Sequence, residues 1–95
     1  LPAVRARLEQ AWPGARVHDH HGMTEVGPVT YECPATSCRL HVIELGYLAE
    51  IIDSATAQPV ADGATGELVL TTLGRTGSPL FRYRTGDLVR PLRFD

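Results

Sequence analysis

The sequence predicts an α+β chain: one N-terminal helix followed by short, mainly antiparallel strands. Three observations point there. Helical spacing of apolar residues occurs only in the first dozen positions. Everything after that is short runs of β-branched and aromatic residues, broken by Gly, Pro and Asp. No internal repeat or low-complexity tract interrupts that order. A helix followed by strands suggests a mostly antiparallel sheet or a partial, barrel-like one.

Positions 2–12 read as the helix. Val4, Leu8, Ala11 and Trp12 recur at helical spacing, with Arg5, Arg7, Glu9 and Gln10 between them. Pro2 suits a first turn and Pro13-Gly14 a stop. Trp12 is expected to pack with the helix. A short strand is expected over 15–20, with Val17 inward and His18, His20 and His21 crowding its end. Positions 22–36 read as loop, with a brief strand at Val29-Thr30-Tyr31. Positions 40–44 alternate weakly. Better strands follow at 47–53 and 67–73, the second β-branched and half apolar. The polar connection between them turns at Asp62-Gly63. Two last strands, 80–84 and 88–92, are expected on either side of a Thr85-Gly86-Asp87 bend. Arg82 and Arg84 straddle Tyr83, so both should share one solvated strand face.

With 95 residues, the chain has room for one small domain and a modest core. The net charge is −2 and every basic residue is arginine, spread along the chain, which argues against a nucleic-acid surface. No apolar run approaches a membrane span. Two cysteines make no disulfide framework. With no secretory leader in view, they are expected as reduced thiols in a cytoplasmic protein. Both ends read as cut, so the expectation is a single fragment, 1–95, of a longer protein.

Two stretches carry chemistry. In Tyr83-Arg84-Thr85-Gly86-Asp87, Gly86 permits a tight bend that a Cβ would resist. A carboxylate presented there accepts only, which suits the paired hydroxyls of a ribose. The plain alternative is a turn whose Asp makes a local backbone bond. In His21-Gly22-Met23-Thr24-Glu25, a hydroxyl sits beside a carboxylate. Thr24 would donate to a phosphate oxygen and Glu25 would hold Mg²⁺, a hard cation that favours oxygen. The plain alternative here is a helix cap.

Taken together, these segments resemble the adenylate-forming superfamily of acyl-CoA synthetases and adenylation domains. The wording is nearest the phenylacetate–CoA ligase group. The resemblance runs through Thr24-Glu25-Val26-Gly27-Pro28, Tyr31-Glu32-Cys33-Pro34, Leu40-His41-Val42 and Glu50-Ile51-Ile52-Asp53. It continues through the Gly66 to Thr71 run and Leu80 to Asp87. Each piece is weak alone; the set and its order are specific.

The resemblance implies a barrel-like piece from the C-terminal part of a large nucleotide-binding domain. It implies ATP or AMP, Mg²⁺, coenzyme A and a small carboxylic acid as partners. Residue by residue, it places the His21 ring against adenine, where the family usually has tyrosine. Gly22 and Met23 would pass the nucleotide by their backbone. Thr24 would bond the α-phosphate, Glu25 would hold Mg²⁺, and Asp87 would grip the ribose. Gly27 and Pro28 would line the acid pocket. The family's Gly-rich phosphate loop and its lid lysine have no counterpart here, since the chain contains no lysine. The chain by itself is therefore expected not to catalyse.

A Cys/His cluster supports a competing reading. His18, His20, His21, Cys33, Cys38 and His41 fall in one short region. Thiolate and imidazole suit Zn²⁺, and a zinc on Cys33 and His41 would pin the intervening loop. The spacing matches no zinc-finger pattern. The chain would then be a zinc-binding β module, or a plain interaction domain, rather than part of a ligase.

Overall fold

Strand β6 (Gly66–Thr72) runs through the middle of the only three-stranded sheet among the described residues, flanked by β5 (Tyr47–Ile52) and β7 (Tyr83–Val89). The structure is a computed structural model that describes residues 2–36 and 39–92. Both pairings are antiparallel, from Tyr47 opposite Thr72 to Ile52 opposite Glu67, and from Gly66 opposite Val89 to Leu70 opposite Tyr83. A β-branched, apolar strand with a neighbour on each side is the natural centre of a small fold. Leu68, Val69 and Leu70 are accordingly almost wholly buried. Leu68 and Leu70, two residues apart, share one face. They form the core with Val26 and Val29, and Met23, Tyr47, Ile51 and Val89 pack around it.

Two smaller antiparallel pairs lie upstream. The β1 (Gly22–Met23) and β2 (Gly27–Pro28) pair makes a short hairpin, and β3 (Thr30–Glu32) pairs with β4 (Leu40–Val42). The architecture is thus α+β and antiparallel throughout, as expected. It is not a closed barrel among the described residues, because the upstream strands have only two or three residues each and form ladders of their own.

The helix α1 (Pro2–Ala11) ends one residue short of the expected boundary. Its apolar side does not make the expected packing: no helix residue is buried, and Trp12, just beyond its end, is 69% exposed. Polar ties hold it instead. The Arg5 guanidinium grips both oxygens of the Glu32 carboxylate and donates to the Val17 carbonyl at 2.8 Å. The Val17 amide donates back to Glu9 Oε1 at 3.2 Å. Those bonds explain why 15–20 is not the expected strand: the polar groups of Val17 are taken by helix side chains rather than by a neighbouring strand.

The Thr85-Gly86-Asp87 segment also differs from expectation. It does not separate two strands; it is a β-bulge inside the single strand β7. The register jumps so that three residues, Thr85 to Asp87, stand opposite Leu68 alone. Gly86 adopts φ +76°, the left-handed region that an absent Cβ makes accessible. Arg82 and Arg84 are both exposed, as expected, and each side chain is also paired. Arg82 Nε pairs with Glu50 at 3.0 Å, and Arg84 Nε pairs with Glu67 at 3.0 Å.

Candidate functional site

The β1–β2 hairpin presents Thr24 and Glu25 at its tip. The Val26 amide donates to the Met23 carbonyl at 3.2 Å, closing a tight turn around the two. The hairpin needs its glycine at the base: a Cβ on Gly22 would lie 3.0 Å from the Gly27 carbonyl oxygen. Thr24 and Glu25 therefore sit in a hairpin turn, not at a helix start, and the capping alternative does not apply. Both are exposed. The Thr24 hydroxyl and the Glu25 carboxylate make no hydrogen bond to a described residue.

The backbone of that tip is held. Arg75, from the turn after β6, donates to the Glu25 carbonyl at 2.7 Å. The Tyr47 hydroxyl donates to the Val26 carbonyl. Two consecutive carbonyls are thus fixed from the three-stranded sheet, while the two side chains stay available to a ligand.

His21 enters the hairpin and is anchored on both sides. Its amide donates to Thr30 Oγ1 at 2.6 Å, and its carbonyl accepts the Val29 amide at 2.9 Å. From there its ring reaches the bulge of β7, where Nε2 lies 2.8 Å from Asp87 Oδ2. The two candidate segments therefore meet through their side chains. The other ring nitrogen, Nδ1, is buried without a partner. Asp87 keeps 45% of its side chain exposed, and its Oδ1 makes no hydrogen bond to a described residue.

The bulge is built to hold Asp87 in place. The Thr85 hydroxyl donates to the Leu68 carbonyl at 2.7 Å and accepts the Asp87 amide at 3.1 Å. The Gly86 amide donates to Glu67 Oε2 at 3.1 Å. Glu67 is buried, and its carboxyl is held below the ordinary carboxylate range, first by Arg84 and then by the Gly86 amide and the Ser54 hydroxyl.

His21 and Asp87 also line a cavity of about 690 Å³. Its walls include Arg39 and His41 around β4, with Leu68 and Val89 from the main sheet. Thr24 and Glu25 do not contribute to it. Of the expected site residues, the structure brings His21 and Asp87 into contact, with Gly22 and Met23 adjoining in β1. Thr24 and Glu25 stand beyond them at the hairpin tip.

Cys33 and His41 come together at the β3–β4 pair. The Cys33 amide donates to the Arg39 carbonyl at 2.7 Å, and the His41 ring stacks on Tyr31 with centroids 5.2 Å apart. A hydrogen bond with His41 is the main cause that pulls the Cys33 thiol below its ordinary pKa; the amides of Ala35 and Thr36 add to it. Two donors fall short of the four that a structural zinc takes. Among the described residues no group of three or more His, Cys, Asp or Glu is placed to hold a metal ion. Cys38 lies outside the described residues. No described helix is long and apolar enough to cross a membrane.

No protein-family model matches the chain. Curated relatives do match it. The chain is 42% identical over 92 residues to the phenylacetate-coenzyme A ligase of Aromatoleum evansii, covering 95% of the chain. It is 40% identical over 91 residues to that of Pseudomonas putida, covering 94%. The chain is phenylacetate–CoA ligase-like. A further relative of that name, from Escherichia coli strain K12, is 39% identical over 92 residues. The chain spans about a fifth of the length of these curated relatives, 20% to 21% in the three cases.

Several residues that matter in this phenylacetate–CoA ligase-like chain lay outside the sequence reading. Arg75 sits in a turn, fifty positions from the carbonyl it holds. Tyr47 and Glu67 begin or lie within strands and read as sheet residues. Only Glu67 carried a signal: a carboxylate in an otherwise apolar central strand needs a partner.

Proposed function

We propose that this chain forms the nucleotide-facing part of an AMP-forming carboxylic acid–CoA ligase. One observation carries the reading: His21 and Asp87, from the two segments that carry the family resemblance, touch at 2.8 Å. Relatives named phenylacetate-coenzyme A ligase support the reaction class and suggest an aromatic acid.

In this reading Asp87 accepts from the ribose hydroxyls through its free oxygen, and the Thr24 hydroxyl donates to the α-phosphate. Glu25 would hold Mg²⁺ beside it. The residues fit that role in part: the carboxylate is exposed and free, and no further protein ligands gather round it among the described residues. Held there, Mg²⁺ would offset phosphate charge.

The chemistry is an in-line exchange. A carboxylate oxygen of the acid forms a bond to the α-phosphorus, and the bond to pyrophosphate breaks. The sulfur of coenzyme A then bonds to the acyl carbon as the thiol gives up its proton, and the bond from that carbon to the phosphate oxygen breaks to release AMP. Such reactions ask a protein mainly to position groups and balance charge. The fixed hairpin tip and the pinned bulge suit that demand. The phosphate loop and the lid lysine would come from parts of the protein beyond this chain.

The test is a panel of aliphatic and aromatic carboxylic acids offered to the full-length protein. AMP release is followed with and without coenzyme A. Acid-dependent AMP release that rises with coenzyme A is the expected result. No AMP release with any acid overturns the reading.

A further inference from the structure

We propose that His21 is the positioning residue for Asp87, acting through the edge of its ring, rather than a stacking surface for adenine. The inference rests on the ribose-binding reading of Asp87 given above and specifies how that carboxylate is aimed.

Three features lead to it. First, the contact is specific. The Asp87 carboxylate only accepts, so Nε2 must carry the proton at 2.8 Å from Oδ2. Second, His21 is fixed where it stands. Its amide and carbonyl are both committed to Val29 and Thr30, so the ring is carried by a rigid piece of backbone. Third, the exposures are unequal in a useful direction. The His21 side chain is 27% exposed and its Nδ1 is buried without a partner, whereas Asp87 is 45% exposed. The imidazole is therefore committed on its edge, and the carboxylate retains Oδ1 for a ligand.

A carboxylate on a strand can turn about its side-chain bonds. Binding a ribose diol requires one orientation, and selecting it costs rotamer freedom. A bond from a fixed ring makes that selection before the nucleotide arrives. The bulge orients the Asp87 backbone through Thr85 and Gly86, and His21 orients the side chain.

The two roles for His21 predict opposite outcomes. Stacking depends on ring area. Positioning depends on a single N–H. His21→Phe keeps the ring and removes the donor. His21→Gln removes the ring and keeps a donor close to where Nε2 lies. Both are made in the full-length protein, with steady-state kinetics measured for ATP and for 2′-deoxyATP. In the positioning role, His21→Phe raises the KM for ATP about tenfold, the size expected for one hydrogen bond to a charged group. It leaves kcat at saturating ATP within about twofold, because the lost contact acts on binding. It also narrows the preference for ATP over 2′-deoxyATP, a change that mere loss of packing would not make. His21→Gln returns both quantities toward wild type. A wild-type KM in His21→Phe with a raised KM in His21→Gln overturns the inference in favour of stacking. Equal losses in the two variants overturn it as well. Asp87→Ala separates the two levels. If that variant keeps both KM and ribose preference, the ribose reading itself fails. If it loses them while His21→Phe does not, only the positioning role fails.

Discussion

The Glu67 carboxylate accepts the Gly86 amide at 3.1 Å through one oxygen and the Arg84 guanidinium through the other. A buried residue of the central strand thereby pins the bulge that carries Asp87. Its folded pKa is depressed, so the sign is that of a stabilising carboxylate. The contribution is present above the ordinary carboxylate range and is lost as pH falls through the depressed value. Glu67→Gln keeps the shape and removes the charge. We expect it to raise the KM for ATP in the full-length protein by about three- to tenfold, in line with one weakened hydrogen bond. Thermal melts should show the wild-type advantage over Glu67→Gln shrinking as the buffer is acidified. An advantage that grows on acidification contradicts this role.

Two glycines should lose different amounts of stability on replacement by alanine, for different reasons. Gly86 has φ +76° and open space where a Cβ would sit, so Gly86→Ala meets backbone strain and nothing else. That strain is about 1–2 kcal/mol. Gly66 is buried, and a Cβ there would lie 2.7 Å from the Ile52 carbonyl oxygen and 2.8 Å from an Ile51 methyl. The backbone of β5 would have to move. Chemical denaturation should find Gly86→Ala folded with a modest loss and Gly66→Ala far more damaged. Similar losses in both would mean that β5 yields to the added methyl without cost, against the 2.7 Å approach at Ile52.

The elements legible in the sequence are those whose signal is local. The helix is marked by spacing and by Pro13-Gly14, β5 by Tyr47 and the Ile51-Ile52 pair, and β6 by Val69, Thr71 and Thr72 among leucines. The β1–β2 hairpin was not legible, because two-residue strands leave no periodicity to read. Thr85-Gly86-Asp87 has the composition of a turn, and only the pairing with Leu68 makes it a bulge. Trp12 looked like packing because helical spacing reports an apolar side without naming what covers it. At the site, residue types pointed to a nucleotide from Thr24, Glu25 and Asp87. The His21–Asp87 bond spans 66 positions, a distance over which no pattern of spacing speaks.

Helix α1 is tied down chiefly through Arg5. Arg5 holds Glu32, whose side chain is almost fully buried, and the pairing lowers the Glu32 carboxyl from 4.5 to about 2. A depressed carboxylate stabilises above its unfolded pKa. The contribution should therefore be complete above pH 4.5 and fade as pH falls toward about 2. Arg5→Ala leaves a buried carboxylate without its main partner, which is a destabilising change. We expect a lower melting temperature at neutral pH, with the gap to wild type closing between these two values. Helix release should also appear as increased amide exchange over Pro2–Ala11. Unchanged exchange there means that the bond from the Val17 amide to Glu9 is enough to hold the helix.

Cys33 is expected to be the more reactive type of thiol. His41 bonds to it and Tyr31 stacks on the imidazole, so the ring is oriented and the thiolate favoured. In a Cys38→Ser background, the pH profile of alkylation by iodoacetamide should have its midpoint below that of a free cysteine. His41→Ala should move the midpoint up. A profile that does not respond to His41→Ala removes imidazole as the cause.

Arg75 gives a test of whether the hairpin tip has to be rigid. Its bond to the Glu25 carbonyl is exposed and joins two turns, so it adds little to global stability. Its removal frees one backbone carbonyl without touching either candidate ligand side chain. Arg75→Ala in the full-length protein should leave the melting temperature within about 2 °C, the usual range for a surface change well under 1 kcal/mol. If the tip aligns the α-phosphate, kcat for acyl-adenylate formation should drop by about three- to tenfold, because a small misplacement penalises the transition state more than binding. Arg75→Lys, which retains charge but not the planar fork, should recover only part of it. Wild-type kcat in Arg75→Ala would show that Tyr47 alone is enough to hold the turn through the neighbouring Val26 carbonyl.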